Sequence, residues 1–88
     1  MDSTKGICFL CGRRGPTERH HIFGGANRKW SEKYSLVVHL CHYCHNEPPN
    51  GVHFNSERMN ALRALGQEEF EKTHTHEEFM KIFGRNYK

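Results

Sequence analysis

The chain has 88 residues, enough for one domain and too few for two. Only 35% are hydrophobic and the formal net charge is +3, so a small core is possible but marginal, and a metal, a disulfide or a partner is expected to reinforce it. No apolar run approaches the roughly 18 residues of a membrane span, and MDSTKGICFL lacks the apolar centre of a signal peptide; the expectation is a protein of the reducing cytosol, away from membranes.

Residues 1–6 read as a loose start, and Ile7 to Gly12 as a tight knuckle followed by a turn at Arg13-Arg14-Gly15-Pro16. Glu18 to Phe23 reads as a strand ended by Gly24-Gly25. Ala26 to Ser35 is basic and polar, which suggests a loop with at most one helical turn around Ser31-Glu32-Lys33-Tyr34. Leu36 to Leu40 is the strongest β-run, rich in aliphatic and branched residues. A helix should start at the second cysteine pair and stop or bend at Pro48-Pro49-Asn50-Gly51. Met59, Leu62 and Leu65 recur at helical spacing, with Asn55 or Ser56 as N-cap and Gly66 as a stop or kink. A second helical stretch covers Gln67 to Lys72. Thr75-His76-Glu77-Glu78 is a capping-box pattern that should start a helix carrying Phe79, Ile82 and Phe83, with Gly84 at its end.

The four cysteines form two pairs of identical spacing, Cys8-x-x-Cys11 and Cys41-x-x-Cys44, separated by 29 residues. In a reducing compartment a disulfide framework is not expected. Two such turns can point four thiolates at one ion about 2.3 Å away and close a tetrahedral site, the pattern of structural zinc. Cys41 to His45 also reads as CxxCH, a haem-attachment motif. That reading needs export to an oxidising compartment and leaves Cys8 and Cys11 without a role.

Eight histidines are many for this length. His39, His42, His74 and His76 are read as solvated or satisfied within the fold. His20 and His21 are different. Neighbours on a strand face opposite sides, so one ring can bind a metal while the other addresses a different atom.

In order, the chain presents CxxC, a strand with His-His-Ile, a strand running into Leu-Cys-x-x-Cys-His-Asn, and then His53. From Cys8 to about Asn55 this resembles the HNH endonuclease family in its zinc-knuckle form, the ββα-metal nucleases, and most of all the small stand-alone type encoded by phages and prophages. The resemblance implies a ββα-metal core over about residues 7–55, which with the four-cysteine zinc and the helical pattern over about 56–84 makes a single α+β domain. It implies one catalytic divalent metal (magnesium, manganese, nickel or zinc) and hydrolysis of DNA phosphodiester bonds. By this likeness His21 is the general base, His20 and His45 are metal ligands, and the partner is DNA. Phage packaging or genome-processing proteins and a bacterial host cytoplasm are implied in the same way.

Two positions depart from the family pattern. Leu36 stands where the family's central Asn orients the base, leaving that task to Ser35 or a backbone carbonyl. Pro49 occupies the usual place of a third metal ligand and cannot ligate, so His53 is the expected replacement, with Asn46 a lesser candidate.

Charge divides along the chain: residues 1–45 carry 7 Lys/Arg against 3 Asp/Glu, and residues 46–88 carry 6 against 7. A basic half beside a metal-capable site favours a phosphate-bearing partner, with Arg19, Arg28 and Lys29, and also Arg13 and Arg14, as phosphate-contact candidates. The alternatives are a non-catalytic zinc-knuckle module that binds nucleic acid, and an adaptor that docks a partner on helices 56–83.

Overall fold

The two β-runs of the sequence pair with each other. In the computed structural model, which describes residues 3–88, β1 (Glu18–His21) runs antiparallel to β2 (Val37–Leu40), with Glu18 opposite Leu40 and His20 opposite Val38. Residues 1 and 2, part of the expected loose start, lie outside the described residues. Both strands are shorter than the sequence suggests, although the Ile22 amide still donates to the Leu36 carbonyl at 3.0 Å. Alternation along β1 puts Glu18 and His20 on the face of the buried Val38 and Leu40, and Arg19 and His21 on the other. This sidedness fixes the whole site.

The segment expected to be a loop with one helical turn around 31–34 is more ordered than that, a 3-10 turn over Gly25–Asn27 followed by α1 (Arg28–Lys33). It lacks an apolar stripe because it is anchored by a polar contact. The Ser31 hydroxyl, fully buried, accepts from the Phe23 amide at 3.0 Å and donates to the Phe23 carbonyl at 2.9 Å. Ser35 then adopts φ 57°, in the left-handed region, to turn the chain into β2.

After β2, the short α2 (His42–His45) lies at the second cysteine pair. The loop beyond it closes so tightly that a Cβ on Gly51 would meet the Glu47 backbone nitrogen at 2.7 Å, and only glycine fits. Next come a 3-10 turn over Val52–Phe54, α3 (Ser56–Glu71) capped by the Asn55 side chain, and α4 (His76–Phe83) with the expected capping box and Gly84 at its C-terminus. Gly66 does not stop or kink α3. The helix runs through it, and its missing side chain admits Ile22 and Phe23, whose atoms would lie 2.9 and 3.0 Å from a Cβ there. The buried face of α3 is accordingly Leu62, Gly66, Gln67 and Phe70, while Leu65 is exposed.

Phe23, two residues beyond β1, packs edge-on against Phe79 and at a tilt against Phe83 of α4, with centroids 5.6 and 4.4 Å away. The C-terminal helices thus complete the core under the sheet. The result is a small α+β fold with a two-stranded sheet and four α-helices among the described residues. No helix among them is long and apolar enough to cross a membrane.

Candidate functional site

The cysteine pairs come together as their spacing predicts. Cys8, Cys11, Cys41 and Cys44 place their sulfurs within 4.8 Å of one another. The Cys11 and Cys41 sulfurs are 3.7 Å apart, close to the ~3.8 Å that a tetrahedral ion with ~2.3 Å bonds to sulfur requires. The first knuckle is held by amides: Gly12 donates to the Cys8 carbonyl at 2.9 Å, and Phe9 donates to the His39 carbonyl of β2 at 2.8 Å. Burial works against a thiolate at Cys8, but amides of Cys41, Cys11 and Leu10 outweigh it and hold the thiol down at about 6. Burial and the neighbouring sulfurs push Cys44 up to about 12. Four thiolates this close repel one another, so a cation is what would let all four ionise together. The donor set fits a structural metal such as zinc. Arg58 reaches from α3 to within 3.7 Å of the Cys44 sulfur and joins the helix to the knuckle.

A second cluster, built from histidines, forms at the end of the sheet. His20 of β1, His45 of α2 and His53 from the following turn bring one ring nitrogen each within 4.8 Å of the others. The Nε2 atoms of His45 and His53 are 3.0 Å apart. An ion ~2.0–2.1 Å from each nitrogen would set such a pair about 2.9–3.4 Å apart in octahedral or tetrahedral geometry. His20 is 3% exposed, and its Nε2 is buried with no hydrogen-bond partner. Burial, then the neighbouring histidines and Arg63, pushes its pKa down to about 4, which keeps the ring neutral and able to ligate. His53 is shifted the same way by burial, His45 and Arg63. The tight turn at Gly51 returns the chain so that His53 joins His20 and His45.

Behind His45 stands Glu18, which the sequence reading passed over. Its Oε1 lies 2.8 Å from His45 Nδ1 and also accepts from Asn46 Nδ2 at 3.0 Å. A hydrogen bond from His45, then lesser ones from His42 and Asn46, hold the Glu18 carboxyl below its usual range against the cost of burial. An ionised carboxylate only accepts, so His45 Nδ1 carries the hydrogen and Nε2 faces the cluster with its lone pair free. Asn46, the lesser ligand candidate, directs its amide nitrogen to Glu18 instead. His42, expected to be solvated, is exposed and pairs with Glu18 and Glu47, and the Glu18 contact raises its pKa.

His21 projects to the opposite face of β1, where Glu32 of α1 meets its Nε2 at 2.7 Å. Glu32 therefore holds the ring from the short helix that the sequence shows only as a single turn around 31–34, where Ser35 or a backbone carbonyl was the expected support. Arg19 grips both oxygens of Glu32, at 2.9 and 3.2 Å. Arg19, a phosphate-contact candidate by sequence, pairs with Glu32 at the surface and also lines the smaller cleft. It is also the first cause holding the Glu32 carboxyl below its normal range, with His21 the second. With Nε2–H donated to Glu32, Nδ1 of His21 is left as the accepting nitrogen.

Two adjoining clefts open on these rings. One, of about 420 Å³, is lined by His20, His21, Asn27, His53, Arg63 and Tyr87 among others. The other, of about 290 Å³, is lined by Arg19, His20, His21, Arg28, His45 and His53 with Gly24 and Gly25. Both clefts count His20, His21 and His53 among their lining residues, and no carboxylate is among them. Arg28 belongs to this wall, as its sequence position suggests. Lys29 instead lies over the Trp30 ring, 5.0 Å from its centroid. Arg13 and Arg14 line a separate groove on the knuckle.

No family model, curated protein or solved structure matches the chain.

Proposed function

We propose that the protein is a metal-dependent endonuclease that hydrolyses DNA phosphodiester bonds with little sequence preference, working through a ββα-metal core of the HNH kind made by β1, β2 and α2. The observation that carries this reading is the convergence of His20, His45 and His53 nitrogens on a cleft that also receives His21, a ring held from behind by a carboxylate. Three nitrogens are one fewer than a closed tetrahedral set, which leaves room for water and phosphate. What a bound divalent cation supplies there is neutralisation of charge on the scissile phosphate and on the leaving 3′ oxygen.

The rest of the chemistry falls to the chain's own groups. His21 accepts a proton at Nδ1 from water as that water attacks phosphorus, and Glu32 keeps the ring in the one tautomer that can do so. The bond to the 3′ oxygen breaks, that oxygen takes a proton from solvent water, and the products are a 3′-hydroxyl and a 5′-phosphate. Glu18 fixes His45 in the tautomer that ligates. Arg28 gives the backbone a positive wall that reads charge and not sequence.

The test is nicking of supercoiled plasmid by chelator-treated protein that retains its cysteine-bound zinc, with magnesium, manganese, nickel or zinc added back. Cutting should need added metal and fall about 10²- to 10⁴-fold in His21→Ala. A well-folded wild type that cuts in no metal would sink the reading.

One observation favours the second reading, a nucleic-acid-binding module without catalysis. Tyr43 on the zinc knuckle is 62% exposed with Arg13 over its ring at 5.3 Å, an arrangement suited to stacking on a base. In that case His21→Ala binds DNA as wild type does and neither protein cuts.

A further inference from the structure

Arg63 lies on α3, in the part of the chain with no motif, yet it lines the larger cleft together with His20, His21 and His53. Its Nε is buried and has no hydrogen-bond partner. None of the ion pairs among the described residues involves it. The guanidinium is held in place by Tyr87, whose ring centroid is 5.7 Å away. Tyr87 in turn is fixed by its amide, which donates to the buried Gln67 side chain at 2.6 Å, and by its ring against Phe23. A cation therefore lies beside the histidine cluster, in a space with no carboxylate among its lining residues.

A buried guanidinium N–H without an acceptor is costly, and positive charge beside a metal-binding cluster adds repulsion. A guanidinium on the wall of an open cleft with no carboxylate among its lining residues suits an anion with oxygens spaced for its fork, and phosphate has that geometry. Arg28 lines the smaller cleft and Arg63 the larger, so the two arginines belong to different arms of the space around His21. We propose that Arg63 anchors a DNA phosphate neighbouring the one that is cut, an inference that rests on the nuclease reading above. The C-terminal extension thereby belongs to the substrate site as well as to the core.

The test uses full-length, zinc-loaded protein carrying His21→Ala, so that no DNA is cut. Binding of a short fluorescent duplex is followed by anisotropy from about 50 to 200 mM salt, with Arg63→Gln or Arg63→Lys added and each variant checked for zinc content and melting temperature. Arg63→Gln is expected to weaken binding about 10- to 100-fold, the range for a lost hydrogen bond to a charged group. It should also reduce the slope of log affinity against log salt by about 1. Arg63→Lys should keep the slope and lose part of the affinity, because it lacks the fork. Unchanged affinity and slope in Arg63→Gln overturn the proposal. So does an Arg63 Nε–H resonance that stays still when inorganic phosphate is titrated against a chloride-matched control. Neither readout needs cleavage. If Arg63 governs binding but wild type cuts nothing, the nuclease reading fails and the phosphate anchor stands.

Discussion

The two ligand clusters of this chain are alike in size and unlike in build. Each gathers its donor atoms within 4.8 Å, but the cysteine set has four donors, three of them buried, while the histidine set has three, graded from buried His20 through half-buried His45 to exposed His53. The cysteines are braced by backbone amides of their own turns. The histidines are braced by a side chain from across the fold, Glu18 behind His45, as Glu32 stands behind His21 on the other face of the same strand. Four donors close a tetrahedral ion and leave it nothing to do but hold the chain; three donors beside a cleft leave positions for other molecules. On the proposed reading, what separates a fastening site from a working one is the open position and the external carboxylate, not the number of metal-capable residues in the sequence.

The largest effect should come from breaking the closed set. Cys41→Ser is expected to abolish cooperative folding, because binding energy on the order of 10 kcal/mol in a structural zinc site is folding energy. A circular-dichroism melt within a few degrees of wild type would erase the distinction between the clusters. Breaking the open set should do something else. His45→Ala is expected to lower the bound metal from two ions per chain to one by elemental analysis, while the cysteine-held ion and the cooperative melt survive. Unfolding instead would make the histidines a second fastening. The two carboxylates sharpen the contrast further. Glu18→Gln should weaken metal binding at the histidines about 10- to 100-fold, whereas Glu32→Gln should leave that affinity unchanged and slow cutting by less than the ~10²–10⁴-fold of the base itself. Calorimetry of metal binding beside single-turnover cutting separates the two, and equal loss of metal affinity in both would defeat the assignment of Glu32 to His21.

These distinctions were unevenly visible in the sequence. The cysteines announce themselves because a two-residue gap is a local geometric statement. His20, His45 and His53 could be gathered only through a resemblance, yet the structure does bring them together. Glu18 was within reach: it sits two residues before His20 and must share its face of the strand. Glu32 was half legible: a turn at 31–34 can be read, but the contact of buried Ser31 with Phe23 that sets the place of α1 shows only in the fold. Gly66 read as a helix stop since glycine usually costs a helix about 1 kcal/mol, and only the packing of Ile22 and Phe23 shows why it is there. Arg63 carries no signal at all on a helix surface until the opposite wall of the cleft is known.

A smaller effect follows from pH. With the cysteine zinc in place and no metal at the histidines, His20 titrates near 4 when folded and near ~6.5 when unfolded. Between those values the unfolded chain takes up the proton and the folded chain does not, so stability falls as pH drops from about 6.5 towards 4. Discounted for screening by the open cleft, the loss is on the order of 2 kcal/mol. A melting temperature flat across that window, or one that falls equally in His20→Gln, would mean that His20 is not the group responsible.

The smallest effect tests whether the two clusters can be uncoupled through the backbone. Gly66→Ala gains about 1 kcal/mol of helix propensity but sets a methyl 2.9 Å from the Ile22 side chain and 3.0 Å from that of Phe23. Overpacking of this kind costs about 1–3 kcal/mol, so a net loss of about 1 kcal/mol is expected from denaturant melts. The residues that must yield directly follow His20 and His21 on the strand, and the same Phe23 is tied by its backbone to Ser31 of α1, next to Glu32. Strain there should reach the histidine cleft and leave the cysteine knuckle alone, lowering metal affinity at the former with the tightly held zinc of the latter unchanged. An alanine that raises stability and leaves both metals untouched would show that the contact relaxes without moving the strand, and that Gly66 is not what positions the working site.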